Sequence, residues 1–144
     1  MLLGEFEHTI DDKNRLTFPA RFRRAFADGV VFTRGMDGCI YAYPRARWEE
    51  LVNGRLGGLD PLRGEVRQLQ RFFFAGAQDE ELDRQGRVVV PAALVRHGKL
   101  GRDVVVAGVN DHVEIWDRAA WKDHLRHVEG SVEDVAERLA AQRD

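Results

Sequence analysis

The sequence predicts an α+β fold in which two tandem repeats form a pseudo-twofold antiparallel β-barrel with flanking helices. The chain matches itself when it is shifted by 72 residues, and each copy contains short strand segments separated by hairpin turns. Its 144 residues, 44% of them apolar, are also enough to bury a core. A unit with so few strands cannot bury both of its faces alone, so we expect the two copies to share one core.

The repeat is clearest between residues 4–24 and 76–96. Six of these 21 positions are identical, where average composition predicts about one or two. After a slip of one residue, the match resumes at an offset of 73 and continues to Trp48 and Trp121. Because the matches stay in order, coincidence is the less favoured explanation. The identities are Gly4 with Gly76, Asp11 with Asp83, Arg15 with Arg87, Pro19 with Pro91, Ala20 with Ala92 and Arg24 with Arg96.

Each copy opens with an alternating strand, a polar turn and a second short strand. The turns are Asp11–Asn14 and Asp83–Gly86, and Asn and Gly both accept the positive φ that a tight turn requires. The predicted strands are residues 5–10 and 15–18 in the first copy, and 77–82 and 87–90 in the second.

Short helices are predicted to follow at Pro19 and Pro91, because proline fits the first turn of a helix. We expect the second of them to end at Gly98. A hairpin comes next in each copy, since apolar segments flank turns rich in Gly, Asn and Asp. Its strands are about 30–34 and 39–43 in the first copy, and 104–109 and 112–116 in the second.

Helical spacing and caps predict four longer helices. Trp48 and Trp121 each lie one turn into the helix that closes a copy, and we predict that they are equivalent core anchors. Ser131 and Asp134 suggest a capping box for a final helix. The helices are about 44–53, 61–74, 117–128 and 131–141. The predicted organisation is a first repeat at 5–52, a connecting helix within 53–75, a second repeat at 76–128 and a C-terminal helix within 129–144.

Composition excludes several classes of protein. A net charge of −2 excludes a uniformly basic nucleic-acid binder, although one basic face is still possible. The single cysteine, Cys39, excludes an intramolecular disulfide and a Cys-based zinc site. The first residues lack a signal-peptide pattern, and the apolar runs are far shorter than the roughly 20 residues that span a bilayer. We therefore expect a cytoplasmic protein with no membrane segment.

Basic side chains concentrate in the two equivalent turn-plus-helix segments. Residues 11–24 contain five basic and two acidic side chains, and residues 83–102 contain five basic and one acidic. Residues 103–144 contain five basic and ten acidic side chains. If a pseudo-twofold axis relates the copies, both basic segments lie on one side, as a phosphate-binding face requires. The alternative is two solvated turns whose arginines pair only with nearby Asp.

The repeated Asp-x-x-x-Arg turn is the most specific candidate site. An Asp at the start of a turn caps backbone N–H groups and can also hold the Arg that follows. A guanidinium ordered in this way can bind phosphate or read guanine through O6 and N7. We favour base readout for Arg15 and Arg87, and phosphate contacts for Lys13 and Arg84. The DNA-binding candidates are Asp11, Lys13, Arg15, Asp83, Arg84 and Arg87, with Arg21, Arg24 and Arg96 as secondary basic candidates.

Two stretches resemble the signature motifs of the bacterial MraZ family. The first is Ile10-Asp-Asp-Lys-Asn-Arg-Leu-Thr-Phe-Pro-Ala-Arg-Phe-Arg23, and the second is Phe72-Phe-Phe-Ala-Gly-Ala-Gln-Asp-Glu-Glu-Leu-Asp-Arg-Gln-Gly-Arg-Val-Val-Val-Pro91. Both motifs lie in order at the family's spacing, and the resemblance extends to about residue 128. Asn14 stands where the family usually has Gly, whereas Gly86 matches. Because Asn can adopt the left-handed conformation, we expect the first turn to survive.

The resemblance implies two AbrB-like (SpoVT-AbrB) domains of the swapped-hairpin barrel type. It also implies a DNA-binding transcription factor, a repressor of the division and cell-wall gene cluster. Such a protein binds G-rich direct repeats in its own promoter, is associated with the nucleoid and assembles into homo-oligomeric rings.

Motifs for catalysis are absent from the sequence. Neither G-x-x-x-x-G-K-[ST] nor G-x-S-x-G occurs, so we predict no enzyme, no catalytic residue and no cofactor. His124 and His127 lie three residues apart on a predicted helix, and without a third ligand a structural role is favoured over a metal site. Phe72, Phe73 and Phe74 could stack on bases, but a place in the core or in a subunit interface is favoured.

Two functions of different classes are therefore compatible with the residues. The first is a sequence-specific regulator whose partner is double-stranded DNA. The second is a non-enzymatic, antitoxin-like interaction module whose basic turns bind acidic partners. A steep salt dependence of DNA affinity, together with a base-sequence preference, would separate them.

Overall fold

A computed structural model of the protein describes residues 1–142. Within these residues the fold is α+β, with a mostly antiparallel sheet and five α-helices. The strands are β1 Leu2–Thr9, β2 Arg15–Thr17, β3 Val30–Arg34, β4 Ile40–Pro44, β5 Gln78–Glu80, β6 Arg87–Val89, β7 Asp103–Asn110 and β8 Val113–Asp117. The helices are α1 Ala20–Arg23, α2 Arg45–Asn53, α3 Gly64–Ala75, α4 Ala92–His97 and α5 Arg118–Ala141, and a 3-10 turn at Met36–Gly38 joins β3 to β4.

Six strands form one sheet in the order β1-β7-β8-β4-β3-β5, and β2 and β6 form a separate two-stranded ribbon. β1 pairs with β7 along its whole length, from Leu2 opposite Asn110 to Thr9 opposite Asp103. The strand order reads the same from either edge when each strand is exchanged for its predicted counterpart in the other copy. This order is compatible with the tandem repeat, which stays a prediction.

The predicted closed barrel is wrong. β1 and β5 are the two edges of the six-stranded sheet, and among residues 1–142 no ladder joins them. Closure requires a sheet to pair its first and last strands. Here β5 has three residues against the eight of β1, and β2 and β6 leave the sheet to pair with each other. An isolated bridge between Ile10 and Leu16 connects the end of the β1 segment to the ribbon.

One hydrophobic cluster fills the space between the inner face of the sheet, the ribbon and the short helices. Phe18, Phe22 and Phe26 contribute from the first half, and Phe18 packs edge-to-face on Phe26 with ring centroids 4.9 Å apart. The second half contributes smaller side chains of the ribbon, α4 and the β7–β8 hairpin, namely Val88, Val90, Leu94, Val104, Val106, Val113 and Ile115.

Trp48 and Trp121 are not core anchors, contrary to the prediction. Both side chains are half-buried and lie outside the main hydrophobic cluster. Trp48 packs against Tyr43, and Trp121 packs against Trp116. Tyr43 and Trp116 alternate along their strands with core residues, so the two closing helices cover the outer face of the sheet.

α5 is one continuous helix from Arg118 to Ala141, whereas the sequence predicted an end near Val128 and a new start at Ser131. The Ser131 hydroxyl donates within the helix to the carbonyl of His127 (3.1 Å) and does not cap an N-terminus. A single glycine costs a helix only about 1 kcal/mol, so Gly130 does not end it. The last two residues of the predicted 129–144 segment lie outside the described residues. No helix of residues 1–142 is both long and apolar enough to cross a bilayer.

Candidate nucleic-acid interface

The first Asp-x-x-x-Arg turn is held together by the carboxylate of Asp11. Its Oδ1 accepts hydrogen bonds from the backbone N–H groups of Lys13 (2.9 Å) and Arg15 (2.8 Å), and its Oδ2 accepts one from Nε of Arg15 (2.7 Å). The N–H of Asn14 donates to the carbonyl of Asp11 (3.0 Å), and Asn14 has a φ of 58°. Asn14 therefore adopts the left-handed conformation that we expected of it.

The second turn repeats this geometry bond by bond. Oδ1 of Asp83 accepts from the N–H groups of Gln85 (2.8 Å) and Arg87 (2.9 Å), and Oδ2 accepts from Nε of Arg87 (2.8 Å). Gly86 has a φ of 79°, and its N–H donates to the carbonyl of Asp83 (3.0 Å). The same short-range pattern thus builds both turns.

These hydrogen bonds keep both aspartates ionised. The backbone N–H of Arg15 is the main cause that lowers the pKa of Asp11, and the guanidinium of Arg15 adds to it. The backbone and guanidinium of Arg87 lower the pKa of Asp83 in the same way. Because both ion pairs are solvent-exposed, they contribute little to stability, and their main effect is to orient the arginines.

The β2–β6 ribbon brings the two arginines to one face. Arg15 lies opposite Val89 and Thr17 lies opposite Arg87, so these four side chains share the outer face. Leu16 and Val88 form the pair between them, and their side chains are buried in the core. Arg15 and Arg87 are diagonal neighbours across the ribbon, a relation that separates such residues by about 7–8 Å.

Each turn is also bonded to the strand that follows the other turn. The N–H of Phe18 donates to the carbonyl of Gly86 (2.9 Å), and the N–H of Val90 donates to the carbonyl of Asn14 (2.8 Å). The two turns therefore have a fixed relative position, although 72 residues separate them in sequence.

The outer edges of the guanidiniums are open. The side chains of Arg15 and Arg87 are 35% and 37% exposed, and the aspartates bond only to Nε. In the part of the chain that the structure describes, the Nη atoms of these arginines donate no hydrogen bond. The ribbon therefore presents two fixed donor groups to solvent.

The remaining basic candidates surround the ribbon at varying positions. Lys13 and Arg84 are exposed in the two turns, at non-equivalent places. Arg21, Arg24 and Arg96 are exposed on or directly after the short helices α1 and α4, which follow the ribbon strands. The guanidinium of Arg21 lies 5.8 Å from the ring centroid of Phe6.

Sequence reasoning missed three residues of this surface, namely Thr17, Val89 and Arg23. Thr17 and Val89 are the outward-facing residues between the arginines, which the alternation along the short strands could have indicated. The Nε of Arg23 donates to the carbonyl of Phe18 (3.0 Å), and its guanidinium lies where a Cβ atom on Gly86 would collide with it. This adds a cation to the second turn alone, because the position equivalent to Arg23 is Val95.

No group of three or more His, Cys, Asp or Glu side chains within residues 1–142 has a geometry that could hold a metal ion. The ring of His124 packs against Trp116, with ring centroids 4.8 Å apart. Phe73 is buried, and Phe72 and Phe74 are half-buried. Phe74 packs against Trp48, and Phe72 packs against His97 of α4.

A family model and several relatives that match nearly the whole chain point to the same family. Residues 1–55 and 73–143 match the family model described as "MraZ protein, putative antitoxin-like". A protein of Roseiflexus castenholzii named transcriptional regulator MraZ is 48% identical over 143 residues, which cover 99% of both chains. Proteins of the same name from Heliobacterium modesticaldum and Lactiplantibacillus plantarum are each 44% identical over 139 residues, covering 96% of this chain and 96% and 98% of theirs. The chain therefore belongs to the MraZ family.

Proposed function

We propose that the protein is a sequence-specific DNA-binding transcription regulator, a repressor of the division and cell-wall gene cluster that binds G-rich direct repeats in its own promoter. The names of the relatives support the regulatory role. The observation on which DNA recognition rests is the β2–β6 ribbon, with two aspartate-held arginines on one open face.

The ribbon suits the major groove of B-DNA. That groove is about 12 Å wide and admits a two-stranded antiparallel ribbon. Arginine is the side chain that most often reads guanine, through two hydrogen bonds to O6 and N7. Diagonal neighbours about 7–8 Å apart match roughly two base-pair steps of about 3.4 Å. A site of this kind suits a G-rich operator.

The neighbouring residues have supporting roles in this proposal. Thr17 and Val89 lie between the arginines and would contact base edges, since apolar groups pack against the thymine methyl. Lys13, Arg84 and the exposed arginines of the short helices would contact phosphates, which fix the register of the protein on the duplex. Arg23 would add a phosphate contact beside the second turn only.

A single ribbon offers few phosphate contacts, so we infer that several subunits bind the repeated boxes together. Linked sites raise the affinity through effective concentration without any new contact. A homo-oligomeric ring with one ribbon in each subunit, bound to the nucleoid, fits direct repeats in the promoter. Such a ring must bend the DNA or open, because duplex DNA is stiff over about 150 base pairs.

The test is a mobility-shift assay on DNA from upstream of the protein's own gene, with a scrambled duplex as competitor. We expect a preference for the native sequence and a steep loss of affinity with salt. The variant R15A/R87A should lose the preference. The control R47A/R126A removes two exposed arginines of α2 and α5, outside the ribbon, and should keep it. Wild-type binding by R15A/R87A would refute the proposal. Salt-dependent binding without any sequence preference would instead favour the module that binds acidic partners.

A further inference from the structure

The first Asp-x-x-x-Arg turn adjoins a cavity of about 650 Å³, which we call the turn-1 cavity. Its apolar lining includes Ile10, Val95 and Leu100, and its polar lining includes the acidic residues Asp11 and Asp12. A cavity of this volume that combines apolar walls with a few polar groups is typical of a small-molecule site. The equivalent space beside the second turn indicates which chemical group fits it.

At the second turn, the protein itself fills the equivalent space with a guanidinium. Val95 lines the turn-1 cavity, and its equivalent at the repeat offset of 72 is Arg23. Asn14 also lines the cavity, and its equivalent is Gly86. The Arg23 guanidinium lies so close to Gly86 that a Cβ atom there would collide with it, and its Nε donates to the carbonyl of Phe18 (3.0 Å). A shorter, apolar side chain thus stands at the first turn where an arginine stands at the second.

The surroundings of the turn-1 cavity suit a guanidinium. The carbonyl equivalent to that of Phe18 belongs to Val90, whose N–H donates to the carbonyl of Asn14 in the first turn (2.8 Å). No side chain of residues 1–142 donates a hydrogen bond to the Val90 carbonyl, whereas Arg23 donates to that of Phe18. Asp12 stands where the second turn has the cationic Arg84. The first turn is therefore the more favourable of the two for an additional cation.

The turn-1 cavity also has room for a ligand that differs in position from Arg23. Asn14 has a Cβ atom where Gly86 has none, so a guanidinium must lie farther from the first turn than Arg23 lies from the second. A free ligand can shift by this amount, and the amide oxygen of Asn14 can accept a hydrogen bond from it. Arg102 also lines the cavity and can pair with a carboxylate of the same ligand.

We propose that the turn-1 cavity binds a small alkylguanidinium compound, such as free arginine, in the place that corresponds to that of Arg23 at the second turn. Asp11, which holds Arg15, lines this cavity, so the bound ligand adds a cation beside the first turn, as Arg23 does beside the second. A further cation next to the ribbon strengthens the attraction to DNA phosphates. This consequence for DNA rests on the proposed function, whereas the binding of the ligand does not.

The test is a titration with propylguanidinium, which reproduces the side chain of arginine, followed by the methyl NMR signals of Leu100. We expect a saturable shift with a dissociation constant of about 1 mM, as suits so small a ligand. Propylurea, its neutral analogue, should cause none. The variant N14G/V95R gives the first turn the residues of the second and should lose the response. V95F fills the same space without a charge and should also lose it, and melting temperatures show that each variant is folded.

The matched control is R23A, which removes the guanidinium from the second turn. We expect R23A to bind propylguanidinium at both turns, because each then has a short side chain in this place. The second binding event should appear as a saturable shift of the methyl signals of Leu82, which is equivalent to Ile10 of the turn-1 cavity. Wild type should show no saturable shift at Leu82.

Four results would overturn the proposal: no saturable shift in wild type, equal binding of propylurea, undiminished binding by both N14G/V95R and V95F, or no second binding event in R23A. A comparison of L-arginine with N-acetyl-L-arginine amide identifies the source of the guanidinium. Because its carboxylate can pair with Arg102, we expect L-arginine to bind at least about threefold more tightly. Equal or weaker binding of L-arginine would overturn the assignment to a free compound in favour of an arginine of another protein.

The titration contains no DNA, so its failure leaves the proposed function intact. The consequence for DNA is tested separately, by mobility shift with and without 10 millimolar-range ligand replaced by saturating L-arginine. We expect L-arginine to raise the DNA affinity of wild type and to leave that of N14G/V95R unchanged. Saturable binding of the ligand to a protein that does not bind DNA would count against the proposed function and not against the ligand site.

Discussion

Gly86 and Asn14 occupy equivalent places in the two turns, but the residues beside these two positions differ. At Gly86 the guanidinium of Arg23 fills the space that a Cβ atom would need. At Asn14 the corresponding neighbour is Val95, and both residues line a cavity of about 650 Å³ beside the first turn. The difference between the two turns at this position is thus matched by a second difference, between Arg23 and Val95.

We predict that G86A destabilises the protein more than G38A does. Both glycines have a φ of 79°, and a left-handed non-glycine residue costs of order 1–3 kcal/mol. A Cβ atom at Gly38 meets no other atom within 4 Å, whereas one at Gly86 collides with Arg23. Urea unfolding of both variants measures the difference in stability. The double variant G86A/R23A should regain part of the stability that G86A loses. Equal losses for G86A and G38A would show that the contact with Arg23 is unimportant.

We predict that D83N weakens specific DNA binding without unfolding the protein. The amide keeps an oxygen for the two backbone N–H groups but places an NH2 group against Nε of Arg87, so the guanidinium loses its orientation. We expect the difference in binding free energy between the native and the scrambled duplex to fall by about 1–3 kcal/mol, which titration of both duplexes measures. The control D12N removes an exposed carboxylate of the first turn for which the structure shows no hydrogen bond to an arginine, and it should keep the preference. An unchanged preference in D83N would contradict a positioning role for Asp83.

At the scale of secondary-structure elements, the β7–β8 hairpin contains a histidine that lies between two carboxylates. Nδ1 of His112 lies 2.8 Å from Asp111, Nε2 lies 3.2 Å from Glu114, and the ring stacks on Tyr43 with centroids 5.1 Å apart. Burial by itself lowers the pKa of His112, but the hydrogen bonds with Glu114 and Asp111 outweigh it and raise the pKa above its ordinary value of 6.5. The same pairing lowers the pKa of Glu114 despite its burial.

We predict that the stability difference between wild type and H112Q is largest at acidic pH. Because the folded pKa is raised, protonation of His112 stabilises the fold fully below about pH 6.5, and this stabilisation is lost as the pH rises through the raised pKa. Melting temperatures of both proteins from pH 5.5 to 8.5 should therefore converge at the alkaline end. Burial, Arg23 and Arg118 lower the pKa of His8, which gives the opposite slope, but this effect is common to both proteins. A constant difference across this range would contradict the charged pairing.

We predict that G130A stabilises the protein, because Gly130 lies inside α5 and not at its end. A Cβ atom at this position meets no other atom within 4 Å, and alanine favours a helix interior over glycine by about 0.5–1 kcal/mol. The urea concentration at the midpoint of unfolding should rise, and the helical circular dichroism signal should be stronger than that of wild type. A loss of stability would instead indicate that the helix breaks at Gly130, as the sequence pattern suggested.

At the scale of the whole molecule, long-range pairing joins the two halves at several places. β1 of the first half pairs with β7 of the second, β2 with β6, and β3 with β5. The hydrophobic core also takes side chains from both halves. Alone, each half could keep only its own hairpin, β3 with β4 or β7 with β8, and would lose its other strand pairings.

We predict that fragments 1–58 and 59–144 are each unfolded alone and recover the native spectrum when they are mixed. The cut falls between α2 and α3, outside every strand, and leaves each fragment without its cross-half partners. Amide dispersion in NMR spectra of each fragment and of the mixture measures this. An uncut chain with a Gly-Ser insertion at the same place should stay folded, since surface loops tolerate insertions. A fragment that folds alone would establish it as an independent domain.

The sequence by itself determined the local structure of this protein. Both turns and the proline-started short helices follow from contacts within a few residues, such as those of Asp11 with Arg15. The strands beside the turns could be predicted from their residue pattern, but their pairing partners lie in the other half of the chain. Asn14 adopts its left-handed conformation for the same local reason. The candidate arginines could therefore be identified without a structure.

Only the tertiary structure decided how these pieces combine. The sheet stays open, α5 continues through Gly130, and the tryptophans of the closing helices cover the outer face instead of the core. The β2–β6 pairing placed Thr17 and Val89 between the arginines, and packing placed Arg23 on Gly86. These outcomes depend on strand pairing and burial between residues that lie far apart in the chain. A local residue pattern does not determine the free energy of such long-range contacts.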